Sequence, residues 1–203
     1  MTQRITRTII AIAMLAVLAG CASTAIRTAW FDPGFSGPPF RKLVVVGIHG
    51  TVADRRVFED VFSYHLRAAG VEAVPGYQLL PDDAKGNEPR WNAAVEGSGA
   101  DGVLMVRVAR LDTRTQISPT PLPGLHRFGP YGWYPGWVAV PDIRQFDVAT
   151  VETSLFDVRN KRLVWAATSE TFNATSVARE TAGFAEVIIG ALAQRGLISS
   201  ARR

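Results

Sequence analysis

Leu43-Val44-Val45-Val46-Gly47-Ile48 is an almost unbroken apolar run, largely β-branched, with no polar residue at alternate positions. Such a run reads as a strand buried on both faces, the hallmark of a parallel sheet covered by helices. The downstream residues fit that reading. Val57, Phe58, Val61, Phe62 and Leu66 recur at helical spacing, with Asp54 as the expected N-cap and Gly70 as the stop. Residues 71–74 predict a second strand. A polar loop holding Pro81, Asp82, Asp83, Gly86 and Asn87 follows, and Pro89 opens a second helix with Trp91, Ala94, Val95 and Ser98 on one face. Residues 103–111 predict a third strand. The order strand, helix, strand, helix, strand implies a parallel start with right-handed crossovers.

The second half changes period. Residues 146–158 alternate, with Ala149, Val151, Thr153 and Leu155 on one face, and residues 161–172 alternate again around Leu163, Trp165 and Ala167. Arg159-Asn160 between them predicts a tight antiparallel hairpin. Ser176 is the expected cap of a last helix whose stripe is Thr181, Phe184, Ala185, Ile188 and Leu192, and Gly196-Leu197 predicts a Schellman stop. The fold class expected is α/β: a single domain with a mixed sheet, β-α-β-α-β, then an antiparallel hairpin and a C-terminal helix. No internal repeat is visible.

The N-terminal segment has a separate logic. Arg4 and Arg7 precede an apolar stretch over residues 9–18, which ends in Leu18-Ala19-Gly20-Cys21. That is the anatomy of a secretory signal peptide, and the stretch is too short for a span of about 20 apolar residues. Leu18-Ala19-Gly20-Cys21 resembles the lipobox of bacterial lipoproteins. In that class the cysteine is acylated and the chain is cut just before it. Cys21 is the only cysteine, which rules out an internal disulfide. The expected organisation is a signal peptide over 1–20, a lipidated Cys21 with a flexible tether over 21–41, and a periplasmic domain over 42–203. A tether of that length would reach about 60 Å when extended. Two or more acyl chains anchor stably where one is marginal, so the expected attachment to the membrane is by lipid, without a span. Ala22 in place of aspartate implies, in a Gram-negative cell, transfer to the outer membrane on its periplasmic side.

The whole chain carries a formal charge of +4, 47% hydrophobic and 20% charged residues, a globular composition. Loss of the signal leaves a charge of roughly +2 with no clustered basic face, which argues against nucleic-acid binding.

Four groups of residues carry a family resemblance: Phe58-Glu59, the run Arg67-Ala68-Ala69-Gly70-Val71, the run Gly99-Ala100-Asp101-Gly102-Val103-Leu104, and the pair Leu155-Phe156-Asp157 with Leu163-Val164-Trp165. Over residues 42–198 they resemble small bacterial envelope lipoproteins. The domain of that group is similar to the amino-terminal domain of TolB, to the lipoprotein activators of penicillin-binding proteins and to the curli-secretion lipoprotein. The resemblance implies a fold, a compartment and a non-enzymatic role in envelope assembly. It supplies no catalytic residue and no cofactor.

Candidate chemistry is sparse. Ile48-His49-Gly50 after a strand fits an oxyanion loop of an α/β-hydrolase, but no Gly-x-Ser-x-Gly elbow accompanies it. His49, His65 and His126 lack metal-ligand spacing, so no metal site is expected. Asp82-Asp83 with Glu88 reads as a solvated acidic loop, and Asn173-Ala174-Thr175 as a turn between strand and helix.

The segment over residues 118–141 has functional character. It mixes Pro119, Pro121, Pro123, Pro130, Pro135 and Pro141 with Phe128, Tyr131, Trp133, Tyr134 and Trp137. Read as a long loop, it either folds over its own sheet or presents those five aromatics to a partner. The expected function is a lipid-anchored, non-enzymatic protein that binds or scaffolds an envelope partner in assembly, secretion or wall synthesis. Glycan or lipid binding through the aromatic segment is the alternative, and a hydrolase the remote one.

Overall fold

The computed structural model describes residues 24–48, 50–79, 88–127, 133–172 and 177–199. Six strands form one sheet: β1 (Thr24–Phe31), β2 (Lys42–Ile48), β3 (Glu72–Pro75), β4 (Gly102–Arg127), β5 (Trp133–Asp157) and β6 (Arg162–Phe172). The helices are α1 (Val52–Ala68), α2 (Gly76–Leu79), α3 (Glu88–Gly97) and α4 (Val177–Gln194). The strand order is β1-β6-β5-β4-β2-β3. β2 pairs in parallel with β3 and β4, and every other pairing is antiparallel. The mixed α/β sheet expected from the sequence is the fold observed.

Chain order explains the layers. The step from β2 to β3 and the step from β3 back across β2 to β4 run in opposite directions. Right-handed crossovers therefore place α1 and α3 on opposite faces. One face carries the larger core, where Leu43, Val45, Leu104 and Leu155 meet Phe58, Phe62 and Leu66 of α1 and Phe184, Ile188 and Leu192 of α4. The other carries a small cluster in which Val44 and Val103 meet Val95 of α3. This two-sided cover is why residues 43–48 alternate nothing.

Helix ends follow local chemistry. The N-cap of α1 is Thr51 and not Asp54: the Thr51 hydroxyl accepts from the Asp54 N–H at 3.2 Å, and the Asp54 carboxylate accepts from the Thr51 N–H at 3.2 Å. The two form a reciprocal capping box, so Asp54 takes its N3 position. Gly70 (φ 88) and Gly196 (φ 71) end α1 and α4 in Schellman motifs, with Val71 N–H on the Leu66 carbonyl and Leu197 N–H on that of Leu192. Ser176 lies outside the described residues. The α4 stripe buries Thr181, Phe184, Ala185, Ile188 and Leu192, as its spacing implies. On α1, Val57 is exposed, and Glu59 and Ser63 join Phe58, Phe62 and Leu66 in the interior.

Two further expectations are corrected. Residues 24–31 of the supposed tether form β1, an edge strand on β6 from Thr24↔Thr171 to Phe31↔Trp165. Thr-Ala-Ile-Arg-Thr-Ala-Trp-Phe suits a pleated half-buried surface, and β6 had an open edge to fill. Beyond it, Phe35 stacks on Phe40 at 5.6 Å, and Phe40 N–H donates to the Leu197 carbonyl at 2.7 Å, which ties the Pro/Gly segment down. The second correction concerns residues 118–141, read as a long loop. β4 and β5 continue through it in register to Arg127↔Trp133, and only residues 128–132 lie outside the described ones.

A register shift between Leu155 and Phe156 lets β6 turn both Val164 and Trp165 inward. Trp165 is 3% exposed beneath α4. Trp165→Ala is expected to cost about 3–5 kcal/mol, read from denaturant unfolding, because it empties a closed core site. A loss under about 1 kcal/mol would contradict that placement.

Candidate functional site

β4 and β5 are 26 and 25 residues long, several times an ordinary strand. Their neighbours stop early: β2 pairs with β4 only up to Arg107, and β6 pairs with β5 only from Val148 on. Residues 113–127 and 133–147 therefore form a two-stranded arm, about 50 Å long at roughly 3.3 Å per residue. A bare hairpin is marginal in water. This one is held by its root, where Leu111↔Ala149 continues the core rows of the sheet. There the Glu170 carboxylate accepts from Arg114 at 2.6 Å and from Arg27 at 2.9 Å, joining β4, β6 and β1. The Arg114 hydrogen bond, and after it that of Arg27, holds this carboxyl below the usual carboxylate range.

The arm's prolines follow one rule. Pro119↔Pro141, Pro121↔Ala139, Pro123↔Trp137 and Leu125↔Pro135 are all pairs of odd-numbered residues. A proline has no N–H, so a ladder survives only if these pairs are the non-hydrogen-bonded ones. Their nitrogens then face outward, along the free edge of β4 for Pro119, Pro121 and Pro123 and along that of β5 for Pro135 and Pro141. At these proline positions both edges lack donors that an added strand would need. The faces stay open: Leu111 is 71%, Ile117 65% and Ile143 61% exposed.

Of the aromatics expected to carry recognition, Trp133, Tyr134 and Trp137 fall within β5. Phe128 and Tyr131 lie outside the described residues, as do Cys21, His49, Asp82, Asp83, Asn173 and Thr175. Prolines signal a break, and that signal hides the strand in the sequence. Their two-residue spacing is the signal that could have revealed it.

Two other places have the shape of a site. An open cleft of about 640 Å³ lies between residues 34–40 and the β5–β6 turn. Most of its charges are engaged in closing the fold. Asp101 accepts from the N–H groups of Arg41 and Lys42 at 2.8 and 3.0 Å, Asp157 from Arg159 N–H and the Asn160 amide, and Arg162 pairs with Asp32. The cleft also sits at the amino ends of β2 and β4, whereas open α/β sheets bind ligands at carboxyl ends.

At the carboxyl ends of β2 and β3 the crevice is filled from within. Fully buried Glu59 accepts from Gly47 N–H at 3.0 Å and Tyr77 N–H at 2.8 Å, with Arg55 at 3.9 Å. Gly76 lets the chain pass close to β2 beside this carboxylate, since a Cβ there would stand 3.0 Å from the Val45 carbonyl oxygen. Burial pushes the Glu59 carboxyl above its ordinary value, and the two N–H donors and Arg55 only partly offset this. Among the described residues no three His, Cys, Asp or Glu are grouped to hold a metal. His65 is half-buried on α1, edge-on to Tyr64, while His126 stands opposite Tyr134 near the end of the arm.

No family profile and no curated protein matches the chain. Among solved structures it is similar to PelC from Paraburkholderia phytofirmans, a dodecamer, at 18% identity over 89% of this chain and 99% of that one, with a TM-score of 0.46. A substituted form of that PelC gives 16% identity, 86% and 99% coverage and a TM-score of 0.47. The lipoprotein GNA1162 from Neisseria meningitidis gives 16% identity over 75% of this chain and 98% of that one, with a TM-score of 0.41. With every score below 0.5, these likenesses carry no functional argument.

Glu59 has a pH signature. Because its folded pKa is raised, its contribution to stability is full below the ordinary value of 4.5 and is lost as pH rises through the raised one. Glu59→Gln, which cannot ionise, is expected to show a flatter stability profile across that window in denaturant melts. Parallel profiles for the two proteins would contradict the assignment.

Proposed function

We propose that this chain is a non-enzymatic envelope protein, held to the membrane by acyl chains on Cys21, that presents its β4–β5 arm to an envelope protein partner. The arm carries the reading. A domain of this size spends residues on an extension of about 50 Å only if something outside its own core uses it. A catalytic reading has less support: the crevice at the carboxyl ends of β2 and β3 is filled by Glu59, and the Gly50-Thr51-Asp54 region is committed to capping α1. The sequence likeness to TolB and to the activators of penicillin-binding proteins belongs to this proposal, as does the outer-membrane address.

On the face of even-numbered residues, Gln116, Ser118 and Thr120 offer polar contacts beside exposed Leu122 and Val140, a mixture suited to a protein partner. A photo-crosslinking residue at Thr120, in cells, is expected to capture one discrete envelope protein. The same probe at Arg179 on α4 should not, and Cys21→Ser should release the chain from washed membranes. Equal labelling from Thr120 and Arg179, or none from either, would overturn the arm as the binding element. Membrane retention of Cys21→Ser would overturn the anchor.

A further inference from the structure

We infer that the odd-numbered face of the arm beds against the bilayer in which Cys21 is anchored. The inference rests on the proposed acylation of Cys21 and goes beyond the partner-binding role.

The first observation is where the chain enters the sheet. β1 begins at Thr24, three residues after Cys21, and Thr24 pairs with Thr171. Thr171 pairs with Ala149, and Ala149 with Leu111. Thr24, Thr171, Ala149 and Leu111 thus form one row across the sheet, the row from which the arm departs. Three residues of chain reach at most about 10 Å. Three strand spacings place the root of the arm about 15 Å to the side of Thr24. β1 runs parallel to β5, away from the end at which the arm projects. A lipid on Cys21 therefore brings the bilayer surface to the arm's end of the domain.

The second observation is the chemistry of that face. Beyond the polar pairs Thr113↔Asp147 and Thr115↔Gln145, Ile117↔Ile143 and Pro119↔Pro141 are followed by Pro121 and Pro123, and all six of these apolar residues are exposed. It is the face that continues the helix-covered core rows of the sheet, with no helix over it among the described residues. A single hairpin driven through the hydrocarbon would leave edge carbonyls without partners, at several kcal/mol each. Donor-poor edges at the prolines also disfavour closing a barrel with neighbouring arms. Lying in the interface meets both limits, since water still reaches the edges while the apolar face leaves it. Trp133 and Trp137 occupy odd-numbered register positions farther along the arm, and tryptophan is a residue type enriched at membrane interfaces.

The test uses the full acylated chain in vesicles of phosphatidylethanolamine and phosphatidylglycerol. A fluorophore is attached through Ile143→Cys, or through Arg159→Cys at the opposite end of the sheet, Cys21 being blocked by its lipid. Brominated lipids are expected to quench the Ile143 label at least about threefold more than the Arg159 label. Equal quenching, with acylation confirmed by mass, overturns the inference and leaves the anchor standing. Energy transfer between Ile143 labels on mixed copies, without lipid quenching, overturns it in favour of a second copy. A chain whose mass shows no acylation refutes the anchor itself. Because the inference rests on that anchor, this outcome overturns it as well, and the mass distinguishes it from equal quenching in an acylated chain.

Discussion

The continuous antiparallel ladder between β4 and β5, from Gly102↔Asp157 to Arg127↔Trp133, is the constraint on which the rest of this structure depends. Its inner part is core. There β4 accepts the parallel strand β2, β5 accepts β6, and the faces are sealed by α1, α3 and α4. Among the described residues its outer part has neither flanking strands nor covering helices. One ladder thus joins a conventionally stabilised domain to an extension that could not hold together alone. The bulge between Val108 and Arg110 marks the approach to that change, and the Glu170 carboxylate between Arg27 and Arg114 braces it from the side.

Proline plays an unusual part in this arrangement. In a central strand it would remove ladder donors. Here every proline in the paired part of the arm sits at a position whose nitrogen faces solvent, so the ladder is intact and the edges are blunted. That combination suits an exposed ribbon that must avoid pairing with other strands while offering its faces. The two faces differ in the middle of the arm. Gln116, Ser118 and Thr120 stand on the even-numbered side, and Ile117, Pro119, Pro141 and Ile143 on the odd-numbered side. Exposed Leu122 and Val140 add apolar surface to the even-numbered side.

Much of the domain is legible in the sequence because its signals are local. The unbroken run at 43–48, the helical stripes of α1 and α4, the Schellman glycines Gly70 and Gly196, and the alternation around Ala149 to Leu155 each depend on a few neighbouring residues. The features that mislead a local reading depend on distant ones. Thr24 to Phe31 is a strand because β6 offers an edge, which no local pattern reveals. Thr51 displaces Asp54 as N-cap because the two side chains satisfy each other's backbone N–H. Residues 118–141 look like a loop because proline and glycine outweigh period-two spacing in any local reading. Glu59, an ionisable residue on the apolar face of α1, is explained only by the Gly47 and Tyr77 N–H groups that the fold brings to it.

Amide hydrogen exchange along β4 and β5 in the purified protein tests the ladder most directly. The predicted result is alternation: slow exchange at Thr120, Leu122 and Val140, whose N–H groups face the partner strand, and fast exchange at Thr115, Ile117 and Ile143, whose N–H groups face out. Uniformly fast exchange over residues 113–147 would contradict it, by showing that the arm is not a ladder in solution.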